Sequence, residues 1–328
     1  MPHNLSRRRW VRAAAASVLS LVVLATQAQS TWPYKPIRLV VTYPPGGTVD
    51  AVARVIAPKL SLRLGQPVVV DNRGGAGGAI GGDLVAKSAP DGYTVMLDAS
   101  NHAQNPALRA KMPFDTLRDL APVSLLVKVP NVLVVNPQAP ITGVKDLIAQ
   151  AKAKPGEINF ASSGNGSAQH LAAELFDSMA GVRMTHVAYK GGGPALTDVM
   201  AGQVPVFFAS LASGLPYIQG GKLRALAVTG KARSPVLPQL PTVAESGLPG
   251  YEVYEWNAVF VPGGTPQPVV DRLSKDLAAV LQDADVRTRL EAIGAEVIGS
   301  TPAELDAFRR AEIAKWSRVA KDNKIQMD

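Results

Sequence analysis

The chain contains no cysteine. That excludes disulfides, thiol catalysis and cysteine-bound zinc. Histidine is nearly as scarce, with four in 328 residues, and only His102, His170 and His186 lie beyond the N-terminal region. His170 and Glu174 stand four apart on one helix, but no third ligand lies near them in sequence, so no metal site is expected. Aromatic residues make up 5% of the chain and are not interleaved with basic ones. After the N-terminal region no run of five or six basic residues occurs, which argues against nucleic acid as a partner. There is no Gly-x-Ser-x-Gly elbow and no evident Ser/His/Asp order. Long apolar runs are also missing beyond the first segment, so nothing later in the chain reads as a membrane span.

That first segment is informative. Arg7, Arg8, Arg9 and Arg12 precede an apolar run from Ala13 to Ala25, which ends in the small-residue stretch Ala25-Thr26-Gln27-Ala28. The order of charge, apolar run and cleavage site is that of a secretory signal over residues 1–28, cut near Ala28. "SRRRWVR" also resembles a twin-arginine export signal, and an ordinary signal with several arginines remains the alternative. Removing four of the 34 basic residues leaves 30 against 26 acidic, a net charge of +4. A mild positive excess suits a small acidic ligand. An exported chain without disulfides fits a bacterial periplasm.

The remainder, 47% hydrophobic and 18% charged over the whole chain, has the composition of a folded globular protein long enough for two lobes. Short β-branched runs alternate with helical patterns. "IRLVVTY", "QPVVVDN", "GYTVMLDAS", "VPNVLVVNP", "INFASS", "MTHVAYK", "VPVFFAS" and "LRALAVTG" read as strands. Val49 to Leu64, Val144 to Lys154 and Ala168 to Ala180 read as helices. Thr301-Pro302-Ala303-Glu304 is a capping box opening a last helix. Such alternation predicts an α/β fold with mostly parallel sheets covered by helices. "VPNVLVVNP" and "YEVYEWNAVFVP" are extended, proline-bounded stretches placed where the chain would cross between two lobes. On that basis residues 31–130 plus 257–328 form one lobe and 131–256 the other, with a ligand cleft between them.

Two strand–loop–helix junctions are candidate anion sites. In "YPPGGTVDAVAR" (Tyr43 to Arg54), Gly46 and Gly47 allow close backbone approach, and Thr48 is expected to cap the following helix. Helix N-termini favour negative charge through unpaired N–H groups and the macrodipole. No Gly-Lys-Ser/Thr follows and Asp50 places a negative charge nearby, so this is not a phosphate loop; Asp50 is expected to cap the helix or bond the loop. "VPGGTPQP" (Val261 to Pro268) is a poorer site, because Pro266 and Pro268 remove donors. The second candidate, "ASSGNGSAQHLAAELF", offers Ser162, Ser163, Asn165 and Ser167 around Gly164 and Gly166. "NRGGAGGAIGGD" fails the dinucleotide spacing at Ile80 and reads as a glycine-rich connection bordering the cleft. "SNHAQNP", with Asn101 and His102, reads as polar lining, and "YKGGGPAL" brings Tyr189 and Lys190 to the cleft edge, where Lys190 can attract a carboxylate. Trp256, in the presumed crossover, either lines the cleft or packs.

Taken together these stretches resemble the tripartite tricarboxylate transporter substrate-binding family, the Bug-type periplasmic receptors. The resemblance extends over nearly the whole chain after the signal, and includes "LGQPVVVDNRGGAGGAIGGDLVAKSAPDGYTV", "VAYKGGGPALTDVMAGQV", "GKLRALAVTGKARSP", "PTVAESGLPGYEV" and "AEIAKWSRVAKDNKI". It implies a two-lobed periplasmic-binding protein type II fold that closes on a small carboxylate, a di- or tricarboxylate or aromatic acid, and delivers it to a membrane permease. It also implies a monomer without cofactor or catalysis. In the family, loops equivalent to Tyr43–Asp50 and Ser162–Ser167 hold a ligand carboxylate through main-chain N–H groups and small polar side chains. The chain departs from the family at Asn101 and Gln104, where threonine and an apolar residue are common. It departs again at Ala209, before Ser210 on the second cleft edge, where aspartate is usual. The rival readings are an exported enzyme with Asp50 or His102 as general base, and a ligand-sensing receptor for a membrane kinase.

Overall fold

The computed structural model describes residues 32–323; the expected signal sequence, 1–28, lies outside the described residues. Ten strands join through one long central strand. They are β1 (Ile37–Val41), β2 (Val68–Asn72), β3 (Thr94–Ala99), β4 (Leu120–Val135), β5 (Asn159–Ser162), β6 (Thr185–Ala188), β7 (Val206–Ser210), β8 (Arg224–Val228), β9 (Tyr254–Pro262) and β10 (Glu296–Val297). The order is β2-β1-β3-β9-β4-β7-β5-β6, with β8 and β10 also paired to β4. β1, β2 and β3 are parallel, as are β6, β5 and β7, whereas β9 and β4 run antiparallel to their neighbours. Both halves are therefore mixed. β1 and β7 are almost wholly apolar and buried on both faces, as central strands under helices must be.

The helices are α1 (Thr48–Leu64), α2 (Ala79–Ala86), α3 (Asn101–Leu108), α4 (Val144–Ala153), α5 (Ala168–Ala180), α6 (Gly192–Met200), α7 (Leu211–Gln219), α8 (Gln267–Leu281), α9 (Ala284–Ala292) and α10 (Pro302–Asn323). Their ends follow local chemistry. α1 stops at Gly65 and α5 at Gly181, both left-handed. The expected capping box forms: the Glu304 carboxylate accepts from Thr301 N–H at 2.8 Å, and the Thr301 hydroxyl accepts from Glu304 N–H at 3.3 Å. No helix among the described residues is long and apolar enough to cross a membrane.

β4 runs unbroken through residue 130. Leu120 to Pro130 pairs with β9, Asn131 to Val135 pairs with β7, and Val132 to Val135 also pairs with β8. Val253 N–H still bonds Thr229 in the second half, and Tyr254 opposite Pro130 opens the first. Two apolar cores result. One gathers Val40, Met96, Trp256, Phe260 and Leu305; the other gathers Leu133, Phe160, Phe176, Phe208 and Tyr251. Two helices contribute to both: α3 through Ala103 and Leu108, and α10 through Leu305 and Trp316. The tail of α10 thus packs on the core formed by the middle of the chain.

Candidate functional site

Five helices begin around one cavity of about 40 Å³. Its wall includes Gly47, Thr48 and Val49 at the start of α1, Ser100 and Asn101 at α3, and Ala168 and Gln169 at α5. Gly192 at α6 and Ser210 with Ser213 at α7 close the ring, and Tyr43, Ala99, Ser163 and Glu255 complete it. The starts of α1, α3, α6 and α7 carry no side-chain cap. Their first N–H groups have no intrahelical partner, so positive dipole ends and spare donors converge on the cavity. Alone, any one helix start is unremarkable; their convergence makes a site for one anionic head group.

The chain builds this ring at strand ends. β1 delivers the Tyr43–Gly47 loop, where Gly46 takes φ +89°. The expectation that Thr48 caps α1 is corrected: Gly47 is the N-cap, extended at φ −89°, and Thr48 is the first helical residue. The Thr48 hydroxyl instead donates to Ser210 Oγ at 2.7 Å. Asp50 bonds the loop, accepting from Gly46 N–H at 3.0 Å, Arg54 at 2.9 Å and Asn72 at 3.0 Å. Burial acts to raise its carboxyl, but these bonds outweigh burial and hold it below the ordinary value. A carboxylate so occupied makes a poor general base.

β5 delivers the second loop. Ser167 is the N-cap of α5, accepting from His170 N–H at 3.2 Å. Gly166 N–H donates to His170 Nδ1 at 3.1 Å. Gly164, at φ +126°, approaches so closely that a Cβ there would lie 3.2 Å from the Tyr189 carbonyl. Ser162 is fully buried beneath the loop, 2.6 Å from His186 Nε2 and within bonding distance of Gly164 N–H. It supports the loop rather than facing the cavity. The His170 and His186 rings stack at 3.8 Å, and burial lowers His186 to about 3, so its ring stays neutral.

The two loops meet across the cleft. Tyr43 Oη donates to Asn101 Oδ1, and Asn101 Nδ2 donates to the Gly166 carbonyl at 2.7 Å. Burial, with Asp98 and Glu255 adding to it, keeps the Tyr43 phenol protonated.

Outside this ring lies a wider, open space of about 830 Å³ lined by Tyr43, Asn72, Arg109, Asn165, Tyr189 and Lys190, together with the glycines of the Gly74–Gly77 segment. The expected residues Asn165, Tyr189 and Lys190 come together here, and the glycine-rich connection does border the cleft. The Tyr189 hydroxyl donates to Asp198 at 2.7 Å; burial and that carboxylate push it up to about 12. Lys190 is exposed at the rim.

Gly46, Asp50, Ser162, Gly166 and Ser167 build the loops without lining either space, and two further expected residues, Trp256 and His102, lie elsewhere. Trp256 is 1% exposed and packs edge-on to Phe308, because it alternates with Glu255 on β9 and points to the opposite face. His102 stacks on Phe260 at 3.7 Å with Asp98 at 3.4 Å; burial outweighs that carboxylate and lowers its pKa. Gln104 and Ala209 are also fully buried and on neither wall.

Sequence reasoning placed Ser100 in the polar lining but missed Glu255, Gln169, Ser213 and Arg109. Glu255 and Gln169 are signalled only by being polar within otherwise apolar, periodic segments. Arg109 follows α3, a helix obscured by the internal Pro106.

The model of the tripartite tricarboxylate transporter family receptor matches residues 52–325. Protein BugT of Bordetella pertussis is 41% identical over 302 residues, 92% of this chain and 93% of that one. Among solved structures, R. palustris Rpa4515 with adipate superposes with a TM-score of 0.87 at 41% identity, covering 90% of this chain and 99% of that one. The periplasmic binding protein BugD superposes at 0.86 with 35% identity, covering 90% and 100%. MatC from Rhodopseudomonas palustris with bound malate gives 0.84 and 33%, covering 88% and 99%.

Proposed function

The chain belongs to the tripartite tricarboxylate transporter receptor family, and from that premise we propose that it captures a small dicarboxylate and hands it on unchanged. The family's members are periplasmic carboxylate receptors of the mixed α/β fold described above, and a transporter receptor works with membrane subunits. One observation carries the reading: five helix starts surround a cavity sized for a single head group. Charge-assisted bonds from N–H groups hold the first carboxylate there. The outer chamber accommodates the remainder of the ligand, with Arg109 and Lys190 on the wall that the second carboxylate faces. Adipate and malate, the ligands of two similar structures, are both dicarboxylates.

In this reading the lobes join along β4 and β9 near residues 130 and 257 and close on the ligand. The receptor works as a monomer, and its leader is removed near Ala28. Capture without chemistry is supported by the family, whose members are solute-binding receptors.

A thermal-shift series over mono-, di- and tricarboxylates and aromatic acids tests the reading, since binding to the folded state raises Tm. Dicarboxylates are expected to give the largest shift. Lys190→Ala should then weaken a dicarboxylate more than a monocarboxylate of equal length. No shift with any acid overturns the proposal.

A further inference from the structure

The ring of helix starts contains one group of the wrong sign. Glu255 on β9 lines the inner cavity at 5% exposure, accepting from Gln169 Nε2 at 3.0 Å and Asn257 Nδ2 at 3.5 Å. The Thr48 and Ser210 hydroxyls complete its surroundings. No cation among the described residues forms an ion pair with it. From β4, Asn131 faces Gln169, while Lys128 lies over the Phe308 ring. From α1, Asp50 is tied to Arg54. From α5, His170 bonds Gly166 N–H and Glu174. From the β1 loop comes the Tyr43 phenol, and from β3 Asp98, which lies by His102 and adds to the Tyr43 shift. A second buried polar group also opens on the cavity: Ser100 is fully buried and its Oγ has no hydrogen-bond partner among the described residues.

An ionised Glu255 and a bound carboxylate in so small a space would repel strongly, because little water separates them. A ligand ammonium would relieve that repulsion but would face the positive ends of five helices. A proton on Glu255 resolves both conflicts. We propose that Glu255 is a specificity-determining residue that carries a proton in the ligand-bound receptor and donates it as a hydrogen bond to the captured carboxylate. The inference rests on the carboxylate-receptor reading above and adds that capture is linked to a proton drawn from solvent. Burial already biases Glu255 this way, raising it above its ordinary value before any ligand arrives. The receptor thereby prefers acids whose head group accepts hydrogen bonds, and it discriminates against α-amino acids.

Two readouts test this on the mature protein with adipate, and separately malate, as probes. Infrared difference spectra of the adipate-saturated protein should show the carbonyl stretch of a protonated carboxylic acid that disappears in Glu255→Gln. Titration calorimetry between pH 6 and 9 should show wild-type affinity falling with pH, by up to about tenfold per unit, and a flatter profile in the variant. If Glu255→Gln does not fold, the wild-type band and net proton uptake decide alone. Binding without a Glu255 band, or tighter binding of glutamate than of adipate that is lost in Glu255→Gln, overturns the inference and leaves the receptor reading standing. Failure of both acids to bind at every pH overturns the receptor reading, and this inference with it.

Discussion

Thr48 and Ser210, 162 positions apart, are joined by a buried hydroxyl–hydroxyl bond of 2.7 Å. It links the first turn of α1 to the residue that opens α7, and so ties one half of the sheet to the other at the cavity wall. A buried neutral bond of this kind is worth about 0.5–1.5 kcal/mol. Ser210→Ala should weaken carboxylate affinity by roughly 2–10-fold, read by titration calorimetry. An unchanged affinity would show that the bond plays no part in shaping the cavity for its ligand.

Ser167 gives a second expectation. Its side chain caps α5, and loss of such a cap costs about 0.5–2 kcal/mol in going to alanine but only a few tenths in going to glycine. Ser167→Ala should therefore lower the denaturation midpoint more than Ser167→Gly. Equal effects would argue that the side chain acts through something other than the cap.

Asp177 provides a pH signature independent of ligand. Its carboxyl accepts from Met184 N–H at 2.6 Å, yet burial, with Glu174 adding to it, raises it to about 7. The folded protein thus binds this proton more tightly than the unfolded chain, so stability is lost as pH rises from about 4 through 7. Asp177→Asn should raise Tm relative to wild type at pH 7.5 and make no gain near pH 4. A gain that is equal at both values would refute the assignment.

Trp316 tests how far the C-terminal helix is structural. Its indole N–H donates to Glu312 at 3.1 Å, and the same oxygen accepts from Trp256 at 3.4 Å, so one carboxylate joins the two cores. Trp316 is 1% exposed, and its truncation to alanine should cost about 3–5 kcal/mol in urea unfolding. A cost below about 1 kcal/mol would mean that the tail of α10 contributes little to the second core.

Much of this architecture was legible in the sequence. The β1 and β5 strands, the extents of α1 and α5 and the capping box at Thr301 follow local rules that tertiary packing did not override. The first half of β4 did not follow them. Pro122 interrupts its pattern, and the register with β9 shifts twice, between Pro122 and Ser124 and between Leu125 and Val127. Bulges of this kind break the two-residue alternation on which strand reading depends. Within the site, loop backbones were readable because glycine and serine mark them. The wall residues Glu255 and Gln169 were not, because their roles come from strands and helices that meet only in three dimensions. Trp256 shows the converse: it was one residue from the cavity in sequence and on the other face of the strand.

The five converging helix starts have a consequence for how this receptor can change. A trap made of main chain has hardly any side chains whose replacement would erase it. Around the outer chamber, by contrast, Arg109, Asn165, Tyr189 and Lys190 are all replaceable one codon at a time. On the proposed reading, the carboxylate shared by every organic acid is held mainly by main chain, with Glu255 the one acidic side chain among its contacts. The portion that differs between acids would be read by the replaceable parts, so new selectivity can arise on this scaffold without the grip being reinvented.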